Sequence, residues 1–316
     1  MPRAAEFNNP RNVMPRSLWR PLLIFLLVIM AVFLFGALLA FPLYHCLALL
    51  AAIDFHKVVH YSILLTGLGL GLYYLQSTGM LAGMLGFDAR VSSNLRGLAW
   101  GYAGGLAILL LLELSLALLG MRQPDPDLGN GLPALLLAVL KALITGLAIG
   151  LTEEILYRGA IFTGLARYTN HFTALLVSAC FYGAVHFIEI AELPAGAAPT
   201  WLTGLTMLAG AFTQFTDPLI LDSLLSLTLL GVLLGLLRWH NGNIIVCIGT
   251  HAGIVTVNKV FAYATDYQPG SPYAFVVNAY DHLTGAVASF WLTLACLLYY
   301  LLIIRRTSIP SHQAHM

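Results

Sequence analysis

The sequence predicts an all-α, polytopic membrane protein, and three observations carry that prediction. Hydrophobic residues make up 59% of the 316 and charged residues 9%, against roughly 45–50% and about 25% in an average soluble domain. Stretches of the about 20 mostly apolar residues that a helix needs to cross a bilayer recur from Leu22 to Ile304. These stretches are continuously apolar and rich in Leu and Ala, whereas the strands of an outer-membrane barrel alternate in polarity.

Eight spans follow, at about 20–41, 58–76, 97–119, 134–157, 172–189, 219–237, 243–264 and 283–304. The first begins after Arg16 and lacks a short h-region with a small-residue cleavage site, so it reads as a retained span. Residues 43–53, after Pro42, either extend that span beyond a kink or lie at the interface. The segment 120–133, with Pro124, Asp125, Pro126 and Asp127, is polar turn material. The segment 190–216 is Pro- and Ala-rich and then apolar from Trp201 to Phe212, a stretch suited to lying flat on a membrane. No internal repeat or soluble module is visible. The organisation is one membrane domain, 20–305, with a core at about 90–265, between tails at 1–19 and 306–316.

Short cytoplasmic loops retain positive charge and translocated loops lack it. With the N-terminus inside, Arg3, Arg11, Arg16, Arg20, Arg90, Arg96, Arg158, Arg167, Arg238, Arg305 and Arg306 fall on the inner side, and only Lys57 and Arg122 on the outer. Both termini are therefore expected in the cytoplasm, with a bacterial cytoplasmic membrane as the location. Lys141 and Lys259 fall within spans. Glu113 and Lys141 lie at one depth by helical rise and are expected to pair, since an unpartnered charge there is costly.

The net charge of +1 and the lack of a basic cluster with interleaved aromatics exclude nucleic acid as a partner. Cys46, Cys180, Cys247 and Cys296 sit in apolar runs without metal-type spacing and read as small core hydrophobes.

Ionisable side chains inside a span are functional candidates by default. Glu153 and Glu154 lie near the inner end of the fourth span, with Arg158 four residues after Glu154. On an α-helix that spacing stacks Glu154 and Arg158, while the adjacent Glu153 points about 100° away, toward a cavity. The plain alternative is an interfacial ion pair capping the span. His186 lies in the fifth span on one face with Tyr182 and Glu189, and His251 in the seventh on one face with Val255 and Asn258. Either histidine alone reads as a core residue. Two glutamates and two histidines from three spans make the minimum set for activating a water and holding an oxyanion.

The run Glu153-Glu154-Ile-Leu-Tyr-Arg158 resembles the EExxxR motif of the CAAX-protease and bacteriocin-processing membrane peptidases, which include the type II CAAX prenyl endopeptidases. Tyr182-Gly-Ala-Val-His186 resembles that family's FxxxH motif, with tyrosine in the phenylalanine place, and His251 follows Gly242-Asn243 much as the family's last histidine follows its turn. The resemblance implies eight helices around an intramembrane catalytic cavity open to the cytoplasm. It implies that Glu153 is the general base, assisted by His186, that Glu154 and Arg158 form a supporting pair, and that His251 stabilises the oxyanion. No cofactor is implied, and the substrate is a peptide, a prenylated tail or a membrane-protein segment. One departure stands out: the family has asparagine four residues after the last histidine, and this chain has Val255. Tyr182 and Asn258 are then candidates for contacting substrate or oxyanion, Asn258 against a plain hydrogen bond within the bundle beside Lys259.

The closest chemical alternative is a zinc hydrolase with Glu154, His186 and His251 as ligands, against which stands the lack of an HExxH. A silent scaffold or immunity protein of the same fold is a second alternative, and a transporter, which would need paired broken helices, a third.

Overall fold

The computed structural model describes residues 18–49, 53–86, 90–125, 131–194, 196–278 and 281–304. Both expected tails, save Leu18 and Trp19, fall outside these residues, as does Asp127 in the expected outer loop. The chain is an all-α polytopic membrane protein. Among the described residues six helices are long and apolar enough to cross a bilayer, and two shorter apolar helices, His171–Val185 and Ala286–Leu302, stand where the fifth and eighth spans were expected. The chain divides into two compact units, one formed by the residues up to Leu81 with Ile155–Ile220, the other by Ala82–Glu154 with the residues from Leu221 onward.

In the first unit, α1 (Trp19–Ala48) and α2 (Phe55–Ser77) form an antiparallel pair. Gly36 lies against the backbone of Ile63, and Gly67 against Val32. α1 runs through Pro42 without a break, so the apolar residues after it extend the first span. The unit also contains a π-helical stretch, Ile155–Ile161, then α6 (Phe162–Tyr168), α7 (His171–Val185) and α8 (Thr203–Ala211). α7 starts where the Asn170 side chain accepts a hydrogen bond from the Thr173 amide at 2.8 Å. α8 packs its small face on α1, with Gly204 against the Ala37 carbonyl.

The second unit is built on α10 (Ile245–Ala264), which lies between α4 (Val91–Leu118) and α5 (Gly131–Glu154). It also holds the short α3 (Leu81–Met84) from Ala82 onward, α9 (Leu221–Asn241) and α11 (Ala286–Tyr299). Small residues let these helices approach until backbones touch. A Cβ on Gly101 or Gly105 would collide with Val246 or Thr250, and one on Gly146 or Gly150 with Ala252 or Ile248. These contacts make α4 parallel and α5 antiparallel to α10. At the far end, β1 (Arg122–Pro124) pairs antiparallel with β2 (Thr265–Tyr267) in a short ribbon.

The expected Glu113–Lys141 pair is replaced. Glu113 is completely buried and faces the Arg122 guanidinium at 3.4 Å, while Lys141 is exposed. The helix contacts do place the two at one level. Lys141, five residues before Gly146, points about 140° away from the face that packs on α10. Arg122, brought back by the ribbon, takes its place and also donates to the His282 carbonyl at 3.3 Å.

Candidate active site

The glutamate pair ends α5, and the backbone changes from α- to π-helical at the next residue, Ile155. Such π-helical turns are frequent at functional sites. Glu154 is completely buried and its Oε1 lies 2.9 Å from His251 Nδ1. Glu153 differs: its side chain is 24% exposed, and its Oε2 stands 3.8 Å from His251 Nε2. That oxygen makes no hydrogen bond among the described residues. His251 is itself 3% exposed, fixed in the middle of α10 where Gly146 and Gly150 bring α5 against it.

An ionised carboxylate only accepts hydrogen bonds, so the geometry assigns the Nδ1 proton of His251 to the bond with Glu154. Nε2 then presents a lone pair when the ring is neutral and an N–H when it is protonated. The three side chains form a line: buried acceptor, imidazole, partly exposed carboxylate.

His186 stands in the other unit as the residue that caps α7. Its Nδ1 lies 2.7 Å from the Tyr182 carbonyl, and a proton on Nδ1 leaves Nε2 as the free lone pair. The fifth span was expected to run to 189, with Glu189 on the His186 face. The helix instead stops at Val185, the Phe187 and Ile188 amides bond three residues back in a tightened last turn, and Glu189 accepts from Gln214.

Tyr182 is 1% exposed, so the residue expected to contact substrate is buried. The Arg158 guanidinium lies over its ring at 4.5 Å and over the Tyr157 ring at 5.9 Å. Tyr157, which was not among the candidates, meets Tyr182 edge-on at 5.1 Å; an aromatic residue beside a buried arginine is the one sign of it in the sequence. Asn258 is exposed on α10, which runs as unbroken α-helix from Ile245 to Ala264. It lacks the kink that would bring it to the His251 oxyanion position and stays about 10 Å along the axis.

Thus Glu153, Glu154 and His251 meet in one unit, and Arg158, Tyr182 and His186 in the other. Among the described residues no three His, Cys, Asp or Glu side chains form a group that could hold a metal ion.

Residues 135–257 match the sequence family described as type II CAAX prenyl endopeptidase Rce1-like. The matched segment contains both glutamates, Arg158, Tyr182 and both histidines, and ends one residue before Asn258. No curated protein and no solved structure matches the chain.

Proposed function

We propose, from the match of residues 135–257 to the Rce1-like family, that the chain is an integral membrane peptidase of the CAAX-protease type and that it cleaves a peptide bond with a water activated by Glu153. The observation that carries this reading is the difference between two adjacent carboxylates. Glu154 is completely buried and hydrogen-bonded to His251, while the Glu153 side chain is partly exposed, with its Oε2 buried 3.8 Å from His251 Nε2. A general base must reach its water, and of the two carboxylates Glu153 is the one with exposed surface.

In the proposed reaction Glu153 takes a proton from water and the hydroxide adds to the substrate carbonyl carbon. The developing oxyanion accepts from His251 Nε2–H, so this step requires the doubly protonated ring. Glu154 holds that ring through Nδ1. The proton on Glu153 then passes to the departing amine as the C–N bond breaks, leaving a carboxylic acid and an amine, between which the second water proton moves to give carboxylate and ammonium. The resemblance also gives His186 and Arg158 supporting roles in the reaction. The substrate is a peptide or membrane-protein segment, with a prenylated tail as one form of it. No metal takes part.

Glu153→Gln should lower kcat by about 10²-fold or more, the usual contribution of a positioned base, while leaving membrane insertion intact. Metal chelators should leave the wild type unaffected. Full activity of the variant, or its rescue by zinc, would overturn the mechanism.

The same reading places both termini on the cytoplasmic side of a bacterial membrane. Two cations depart from the charge bias, Lys57 and Arg122. Each is engaged by a carboxylate, Lys57 with Asp54 at 2.6 Å and Arg122 with Glu113 at 3.4 Å, which gives each a structural reason to be there. A reporter fused near Asp125 should read the outer side; a cytoplasmic signal there would refute the topology.

A further inference from the structure

His186 occupies an unusual position for a group that must be held still. It is exposed and follows the last residue of α7, so its own backbone lies outside the helical ladder. Its Nδ1 bond to the Tyr182 carbonyl fixes one atom and sets which nitrogen keeps the lone pair. A single hydrogen bond leaves the ring free to swing about the line joining its two atoms. The plane is set by a second contact, in which the imidazole meets the Tyr182 ring at 4.7 Å between centroids and 64° between planes.

The Tyr182 ring is itself immobilised. It is 1% exposed, with the Arg158 guanidinium 4.5 Å from its centroid and the Tyr157 ring against it at 5.1 Å and 89°. Arg158 and Tyr157 belong to the π-helical stretch that follows the glutamates. A continuous run of contacts within one unit therefore leads from that stretch through Tyr182 to His186.

We infer that the Tyr182 ring is a positioning residue, holding the plane of the His186 imidazole for the reaction while touching no substrate itself; this rests on the function proposed above. The holding surface is the ring and not the hydroxyl. Phenylalanine, the residue that the resembling FxxxH motif has in this place, presents the same surface.

The test uses the full chain in detergent micelles with ¹⁵N-labelled histidine, the His186 resonances being assigned by their loss in His186→Gln. Tyr182→Phe should retain the wild-type His186 Nδ1 and Nε2 shifts, with kcat within about twofold. Tyr182→Leu should move those shifts toward tautomer-averaged values and lower kcat by roughly 10- to 10²-fold at unchanged KM, as for a misplaced catalytic group. Should Tyr182→Leu fail to fold, Tyr182→Met fills the space without a ring and should give the same pattern. Unchanged His186 shifts in the ring-less variant, or a loss in Tyr182→Phe equal to that in Tyr182→Leu, would overturn the inference. The ¹⁵N readout does not depend on turnover, so a chain that cleaves no peptide would refute the proposed function and leave the role of Tyr182 to be decided by the spectra.

Discussion

Among the described residues, two carboxylates of the unit built on α4, α5 and α10 are completely buried, Glu113 and Glu154, and they differ in the company they keep. Glu113 faces the Nε of Arg122 at 3.4 Å, amid Leu109, Leu112, Leu116 and Met121. Glu154 is hydrogen-bonded to an imidazole at 2.9 Å, with a second, partly exposed carboxylate on the far side of that ring. A guanidinium keeps its proton at any working pH, so Glu113 and Arg122 form a fixed pair. The imidazole beside Glu154 faces a second carboxylate through its other nitrogen, so Glu154 ends a line of groups that can give and take protons. Burial of an acid does not separate structure from chemistry in this protein; the partner's ability to release a proton does.

The largest effect should come from breaking the fixed pair. Arg122→Leu leaves Glu113 buried without its cation and should destabilise by about 3–5 kcal/mol, while activity per folded molecule stays near wild type. Glu113→Leu should lose a similar amount, and the double variant should recover much of it. Thermal melts of the three proteins with a peptide assay on each would decide the point. Additive losses, or an activity loss in the surviving folded fraction, would erase the distinction between the two acids.

Glu154→Gln should show the opposite profile. Glutamine keeps the shape and can still accept from Nδ1, so stability should fall by only about 1 kcal/mol, one neutral hydrogen bond replacing a charged one. The ring loses the charge that supports its doubly protonated form, and kcat should fall by roughly 10- to 10²-fold. A stability loss as large as that of Arg122→Leu, with kcat intact, would make Glu154 a second structural acid.

The same contrast shows what the sequence could reveal. Apolar runs mark spans, and the glutamates and histidines stand out within them because charge in a span is rare. Depth also follows from rise per residue, which is why Glu113 and Lys141 do share a level. Azimuth is harder. Lys141 lies about 140° from the packed face of α5, an angle visible only once Gly146 and Gly150 are known to face α10. Arg122 reaches Glu113 because a loop folds back as a ribbon with residues far along the chain, a pairing that local pattern does not encode. The end of α7 is likewise hidden, since the chain stays largely apolar through Ile188 while the helix stops at Val185. The π-helical stretch leaves no mark in composition either. It rotates the residues after Glu154 away from α-helical spacing, and the Arg158 guanidinium over Tyr182 is a contact that such spacing does not predict.

The smallest effect belongs to Asn258, and it sharpens the comparison from the other side, as a polar residue in a span that is exposed and belongs to neither acid's surroundings. If position decides function here, Asn258→Ala should leave kcat within about twofold and stability within about 0.5 kcal/mol, the range of a surface change. A second oxyanion donor would have to stand near His251 Nε2. The residue one turn along α10 is Val255, half-buried and without an N–H to give beyond its backbone. Val255→Asn puts an amide there and should raise kcat several-fold, less than the 10²- to 10³-fold of an established donor because nothing around it has been shaped to aim it. Steady-state kinetics on both variants, with melting temperatures from the same preparations, separate the outcomes. A 10²-fold loss in Asn258→Ala at unchanged stability would mean that α10 bends on binding substrate and carries Asn258 to the oxyanion, and that exposure in the resting structure does not set a residue apart from the chemistry.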